Sequence, residues 1–184
     1  MRKHLAIFIA LLTITISSCN YFQPNTVERL TDTLLTKTIT FPKQLLHLKG
    51  GHFLNIDSLL GSIEGKSKLV SIVDGTCPAC IDGQLNRVDS IFRQLKPNHD
   101  VELVFILNVS THDSVYFMRN FQSYIKATGT VLWDNNFNFE RENKLFTPDQ
   151  SLRIFMLNGD NRIVLYGNPL MNPKLLDKYK KMFN

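Results

Sequence analysis

The sequence predicts an α/β domain whose central mixed sheet carries helices on both faces. Residues 69–73 and 101–109 are nearly continuous in apolar side chains, the pattern of strands covered on both sides. Each run is followed by a stretch with apolar residues at helical spacing. Lys49-Gly50-Gly51-His52 and Asn158-Gly159-Asp160-Asn161 each stand between apolar stretches and read as hairpin turns. One hairpin thus extends the sheet at its N-terminal end and another lies near the C-terminus.

Taken in order, residues 45–48 and 53–56 form the first hairpin, and residues 61–68, rich in Gly, Ser and Lys, read as a loop or short helix leading into the strand at 69–73. The next helix carries Ile81, Leu85, Val88, Ile91, Phe92 and Leu95 on its buried face, and Pro97-Asn98 ends it. After the strand at 101–109, Ser110 to Asp113 offer cap residues for a helix bearing Val115, Phe117, Met118, Phe121, Tyr124 and Ile125. These crossovers make the two strands parallel and the connection right-handed. A short strand at 130–133, a short helix at 137–145, a hairpin of 152–157 with 162–166, and an amphipathic helix at 172–183 complete the order. The last helix places Leu175, Leu176, Tyr179, Met182 and Phe183 on one face.

The first strand ends in Asp74-Gly75-Thr76-Cys77-Pro78-Ala79-Cys80. Two thiols separated by two residues at a strand-to-helix junction can close a small disulfide. The N–H groups and dipole of the helix start stabilise a thiolate there. Cys77, the outer sulfur, is the expected nucleophile, and Cys80, one turn deeper, the expected resolving thiol. Two other readings stand beside this one. A structural zinc site needs four ligands, and the chain's three cysteines supply no second pair. An inert bridge would close so short a loop that it removes little chain entropy. Neither a metal nor a cofactor is expected.

Residues 1–18 read as a secretory signal: Arg2 and Lys3, then an apolar stretch from Leu5 to Ile16, then small residues before Cys19. That stretch is shorter than the ~18 residues a membrane span needs. Ile16-Ser17-Ser18-Cys19 resembles the lipobox of bacterial lipoproteins, which implies that Cys19 becomes an acylated N-terminus. Residues 19–43, polar and Thr-rich at first, read as a tether, and residues 44–184 as one domain. The whole chain has 21 basic and 16 acidic residues, a net +5. Without the signal the balance is about +3, and Lys174, Lys178, Lys180 and Lys181 follow helical spacing as a solvent face. That distribution does not point to nucleic acid.

This order of elements, with Cys-x-x-Cys opening the first long helix, resembles the thioredoxin fold over roughly residues 45–183. The N-terminal hairpin, Gly65-Lys66 and the extra strand at Val131-Leu132-Trp133 look like membrane-anchored thioredoxin-like reductases. The tail from Phe155 to Pro169 and Asn172-Pro173-Lys174 looks like a group of short thioredoxin-like lipoproteins.

The resemblance implies an envelope thiol-disulfide oxidoreductase facing the periplasm, with protein thiols or disulfides and a redox protein as partners. It makes Pro78-Ala79 the dipeptide that tunes reduction potential. Thr76, Pro78, Ala79, Ser151 and Leu152 become the residues expected to touch a partner.

Two of three departures favour an alternative, a non-enzymatic thioredoxin-like binding module, and the third, at Leu152, implies a narrower set of partners. Thr76 replaces the usual aromatic. Ser71 replaces the acid that many members bury six residues before the first cysteine. Leu152 stands where the family's cis-proline precedes Phe155 by three residues, with Pro148 four residues further back, so a trans Ser151-Leu152 peptide is expected. Asp74 is the nearest carboxylate, placed equally well to cap the loop or to accept a proton. The Pro-x-x-x-Thr-x-x-Cys pattern of peroxiredoxins is missing ahead of Cys77.

Overall fold

The computed structural model describes residues 34–35, 37–94, 101–145 and 149–183. The signal sequence, Cys19, Pro97-Asn98 and Pro148 lie outside them. The described strands form one sheet in the order β2-β1-β5-β4-β3-β6-β7. They are β1 (Leu46–Lys49), β2 (His52–Asn55), β3 (Ser67–Asp74), β4 (Val101–Asn108), β5 (Thr130–Asp134), β6 (Ile154–Leu157) and β7 (Ile163–Tyr166). β3, β4 and β5 run parallel, and the pairings of β1 with β2 and β5, and of β6 with β3 and β7, are antiparallel. The sheet is therefore mixed, with its parallel strands inside and a hairpin at each edge.

Burial on both faces explains why β3 and β4 lack polar alternation. Successive strand residues point to opposite sides. Leu69, Val73, Leu103, Phe105, Leu107, Val131 and Trp133 join one core cluster with Ile81, Leu85, Val88, Phe92, Tyr179 and Phe183. The alternate residues Val70, Ile72, Val104, Ile106 and Leu132 are also buried, and on their side of the sheet Phe41 meets Phe139 at a ring-centroid distance of 5.5 Å. Ile39 and Phe41 fall in the stretch read as tether, yet both are buried, and Thr38 bridges to Arg162. The chain thus enters the fold before residue 44.

The helices depart from the sequence reading in specific places. α1 (Asp57–Ile63) begins four residues ahead of the stretch read as a loop or short helix, with Asn55 Oδ1 accepting from Asp57 N–H at 2.9 Å. The helix after the cysteines is α2 (Pro78–Cys80), a π-helical segment (Ile81–Asn86) and α3 (Arg87–Gln94), not one regular α-helix. Within it Arg87 N–H reaches back five residues to Asp82 O.

α4 (Ser114–Asn120) stops short of Gly129 and passes into a 3₁₀ turn (Gln122–Tyr124). Phe117 is buried, but Val115 is 60% exposed. Two residues apart lie about 200° around a helix, so Val115 and Phe117 cannot share the face expected of them. α5 (Asn138–Glu142) is shorter than expected because Lys144 takes a left-handed φ of 49°.

β6 begins at Ile154, and Leu152 belongs to a 3₁₀ turn (Gln150–Leu152). α6 (Pro173–Phe183) buries Tyr179 and Phe183, whereas Met182 remains 43% exposed instead of joining the buried face. Tyr179 Oη donates to Gly167 O at 3.0 Å and its ring meets Phe92 at 5.7 Å. That bond fixes the loop after β7, which forms one side of the site. At the far end of β3, Lys68 is buried, with Nζ donating to Lys66 O and Asn161 Oδ1, both at 2.8 Å. Desolvation pushes its pKa below the ordinary lysine value.

Candidate functional site

The parallel register brings Asp74, Asn108 and Asp134 side by side at the carboxyl ends of β3, β4 and β5. Ligand sites of open α/β sheets form at such ends. The chain leaves β3 through a close turn in which Gly75 N–H donates to Asn108 O at 2.9 Å. A Cβ on Gly75 would meet Val109 Cγ2 at 2.3 Å, so the approach to β4 requires glycine. Asp74 Oδ1 accepts from Thr76 N–H at 2.9 Å and Thr76 Oγ1 at 2.7 Å. Asp74 acts there as the loop cap.

Cys77 is the N-cap residue, in extended conformation (φ −113°, ψ 104°), and Pro78 opens the helix. Pro is suited to that first position because its missing N–H would have no helical partner. The Sγ of Cys77 accepts from Cys80 N–H at 3.1 Å, and its carbonyl accepts from Ile81 N–H at 3.0 Å. The cysteines are joined as a disulfide with Cα atoms 5.2 Å apart. Both are half-buried, while Thr76, Pro78 and Ala79 are exposed around them.

A groove of about 450 Å³ runs beside the disulfide. One side is Cys77, Ala79, Cys80 and Arg87; the other is Asn168, Leu170 and Met171 from the loop after β7. Met171 is 68% exposed. Ser151 and Leu152 do not line it. Leu152 is buried with its N–H donating to Asp149 O at 3.0 Å, and Ser151 O accepts from Asn168 N–H at 2.6 Å. Ser151 therefore supports the groove wall from behind. The described peptide bonds, Ser151-Leu152 included, are trans.

Sequence reasoning missed Asn168, Leu170, Met171 and Arg87, although Gly167-Asn168-Pro169 was a visible turn signal after a strand. It also missed a polar cluster behind the site. Glu140 is buried and accepts from Asn108 Nδ2, and Asp134 accepts the N–H groups of Asn138 at 3.0 Å and Phe139 at 2.8 Å. Burial pushes the Glu140 pKa above the usual carboxylate range. Arg153 and the Asn108 bond oppose that shift, and Asp134 adds to it. Among the described residues no group of three His, Cys, Asp or Glu side chains is placed to hold a metal ion.

No family model matches the sequence. No curated protein is similar to it at a significant level. Solved structures are similar. The thioredoxin domain of a thiol-disulfide oxidoreductase from Bacteroides vulgatus superimposes with a TM-score of 0.53 at 14% identity, covering 82% of this chain and 99% of that one. An uncharacterized thioredoxin-like protein from Porphyromonas gingivalis gives 0.53 at 16%, covering 79% and 90%. Arabidopsis thaliana ScoI, solved with copper bound, gives 0.55 at 18%, covering 78% and 97%. The fold is therefore thioredoxin-like, as the order of elements implied. Within that class this chain is a domain with a Cys-Pro-Ala-Cys disulfide at the junction of β3 and α2.

Proposed function

We propose that this chain is an envelope thiol-disulfide oxidoreductase working through Cys77 and Cys80. The observation that carries the reading is a closed Cys77–Cys80 disulfide capping a helix at the mouth of a groove. In the reduced state the Cys80 N–H that now meets Cys77 Sγ would stabilise a Cys77 thiolate. That thiolate attacks one sulfur of a partner disulfide, forming a mixed disulfide and releasing the other sulfur as thiolate. Cys80, as thiolate, then attacks Cys77 Sγ, closing the internal disulfide and releasing the second partner sulfur. Two electrons pass to the partner, both released thiolates take protons from solvent, and a second dithiol protein reverses the exchange. Run backwards, the same steps oxidise a partner dithiol.

Acylation of Cys19 would hold the domain on an envelope membrane. Each buried CH₂ contributes about 0.8 kcal/mol, so two or more chains anchor firmly. Cys19→Ala should leave the precursor unprocessed by lipoprotein signal peptidase; normal processing would refute the anchor.

The second reading, a binding module that does not turn over, is favoured by a neutral Ser71 where the family buries an acid. Titration of the Cys77/Cys80 couple against glutathione buffers separates the two. A reversible couple between about −120 and −270 mV supports exchange, whereas one below about −300 mV marks a structural bridge.

A further inference from the structure

The segment that follows the dithiol carries a glycine the fold does not require. Gly83 lies inside the π-helical segment, where glycine is a poor helix former. It does not take a positive φ, and a Cβ built on it would meet nothing within 4 Å. Neither backbone conformation nor packing therefore selects glycine there. Gly83 does line the groove beside the disulfide, and glycine suits a place where another backbone approaches closely.

Cys80, Gly83, Gln84 and Arg87 all line that groove. Their spacing of three, four and seven residues is that of one helical face, so the groove runs along the helix from the disulfide toward Arg87. Seven residues at a rise of about 1.5 Å put Arg87 about 10 Å from Cys80 along the axis. Arg87 is exposed, and it is the one charged residue among the described residues that line the groove. No carboxylate among the described residues pairs with its guanidinium. The facing wall is apolar at Leu170 and Met171. Asn168 fixes that turn, accepting from Leu170 N–H at Oδ1 (2.9 Å) and from Met171 N–H at its carbonyl (3.2 Å). Met171, 68% exposed, is a side chain that adapts to varied apolar surfaces.

These features fit an extended polypeptide. At about 3.3 Å per residue, a chain joined to Cys77 covers the distance to Arg87 in about three residues. Its backbone passes Gly83, where no side chain intervenes, its apolar groups lie on Leu170 and Met171, and a carboxylate beyond them meets the Arg87 guanidinium.

We propose that the groove reads the sequence flanking the partner's reacting cysteine: Arg87 selects an aspartate or glutamate about three residues away, and Gly83 leaves room for the chain between. This rests on the dithiol reading above.

The test uses the reduced protein and single-cysteine peptides activated as mixed disulfides with thionitrobenzoate. The Cys77 thiolate attacks the peptide sulfur, a Cys77–peptide disulfide forms, and thionitrobenzoate leaves as the coloured thiolate. Cys80 then releases the peptide thiol by closing the internal disulfide. Peptides carry Glu, Gln or Lys in turn at the second, third or fourth position on either side of the cysteine. Each rate is divided by that of the same peptide with 2-mercaptoethanol, which removes differences in intrinsic reactivity. On one side of the cysteine, Glu should react about two- to fivefold faster than Gln, the scale of an exposed ion pair, with Lys slower still. Salt at about 0.5 M should erase the preference.

Arg87→Glu should reverse the order in favour of Lys, and Arg87→Lys should keep it. Gly83→Leu, which installs a better helix former, should lower the ratio of peptide to Ellman's-reagent rates on the order of tenfold by filling the path of the chain. Normalised rates that ignore the flanking charge overturn the subsite alone. So does a Glu preference that survives Arg87→Glu, or a ratio that Gly83→Leu leaves unchanged. If neither the peptides nor plain Ellman's reagent reacts faster with the protein than with free cysteine, the dithiol reading and the subsite both fall.

Discussion

The hydroxyl of Ser71, buried on β3, donates to the main-chain carbonyl of Gln84 at 2.9 Å, inside the π-helical segment that follows the dithiol. A widened turn disturbs the regular ladder of helical bonds, and such segments gather at functional sites. The serine ties that segment to the central strand. Ser71→Ala should cost about 1–3 kcal/mol, because a buried carbonyl loses a donor. Ser71→Asp, which restores the family's acid, faces that same carbonyl and should fold only with its carboxyl protonated. Its folded pKa would exceed the unfolded one, so its stability should fall as pH rises through that interval. Urea unfolding at pH 5 and pH 8 measures both effects; an aspartate variant equally stable at the two would refute the account.

The cysteines should differ in reactivity once reduced. Cys77 Sγ receives the Cys80 N–H at the helix start, and Cys80 packs against the core. The Cys77 pKa should fall below the free-cysteine value of ~8.5. Iodoacetamide at neutral pH, with peptide mass spectrometry, should label Cys77 at least about tenfold faster. Equal labelling would reverse or remove the assigned roles.

Glu140 sets a pH dependence of stability. Its pKa is raised in the folded protein, chiefly by burial, so the folded state binds its proton more tightly than the unfolded state does. The stability this contributes is complete below the ordinary glutamate value and is lost as pH rises through the raised one. Glu140→Gln should flatten that decline while keeping an acceptor for Asn108 Nδ2. Unfolding free energies measured at intervals from pH 4 to pH 7 check it, and parallel profiles for the two proteins would contradict it.

Restoring the family's proline should not restore a family-like site. Leu152 N–H donates to Asp149 O in the 3₁₀ turn, a bond that proline cannot make. Leu152→Pro should destabilise the protein by about 1–3 kcal/mol without speeding insulin reduction. Faster turnover in the variant would show that the leucine obstructs the dithiol.

The central strands, the dithiol junction and both hairpins were legible in the sequence because each depends on local chemistry. A strand buried on both faces is nearly all apolar, the turns at Gly50-Gly51 and Asn161 need residues that tolerate positive φ, and Cys-Pro-Ala-Cys at the start of a helix is a motif of contiguous residues. What local pattern could not specify was which long-range partner each polar group would meet. Parallel register alone sets Asp74, Asn108 and Asp134 in a row. Only the fold turns Leu152 away from the groove and brings Asn168 and Met171, nearly a hundred residues downstream, to the wall facing Cys77. The buried Glu140 leaves no periodic trace, since a polar side chain in a short helix reads as solvent-facing until tertiary packing covers it.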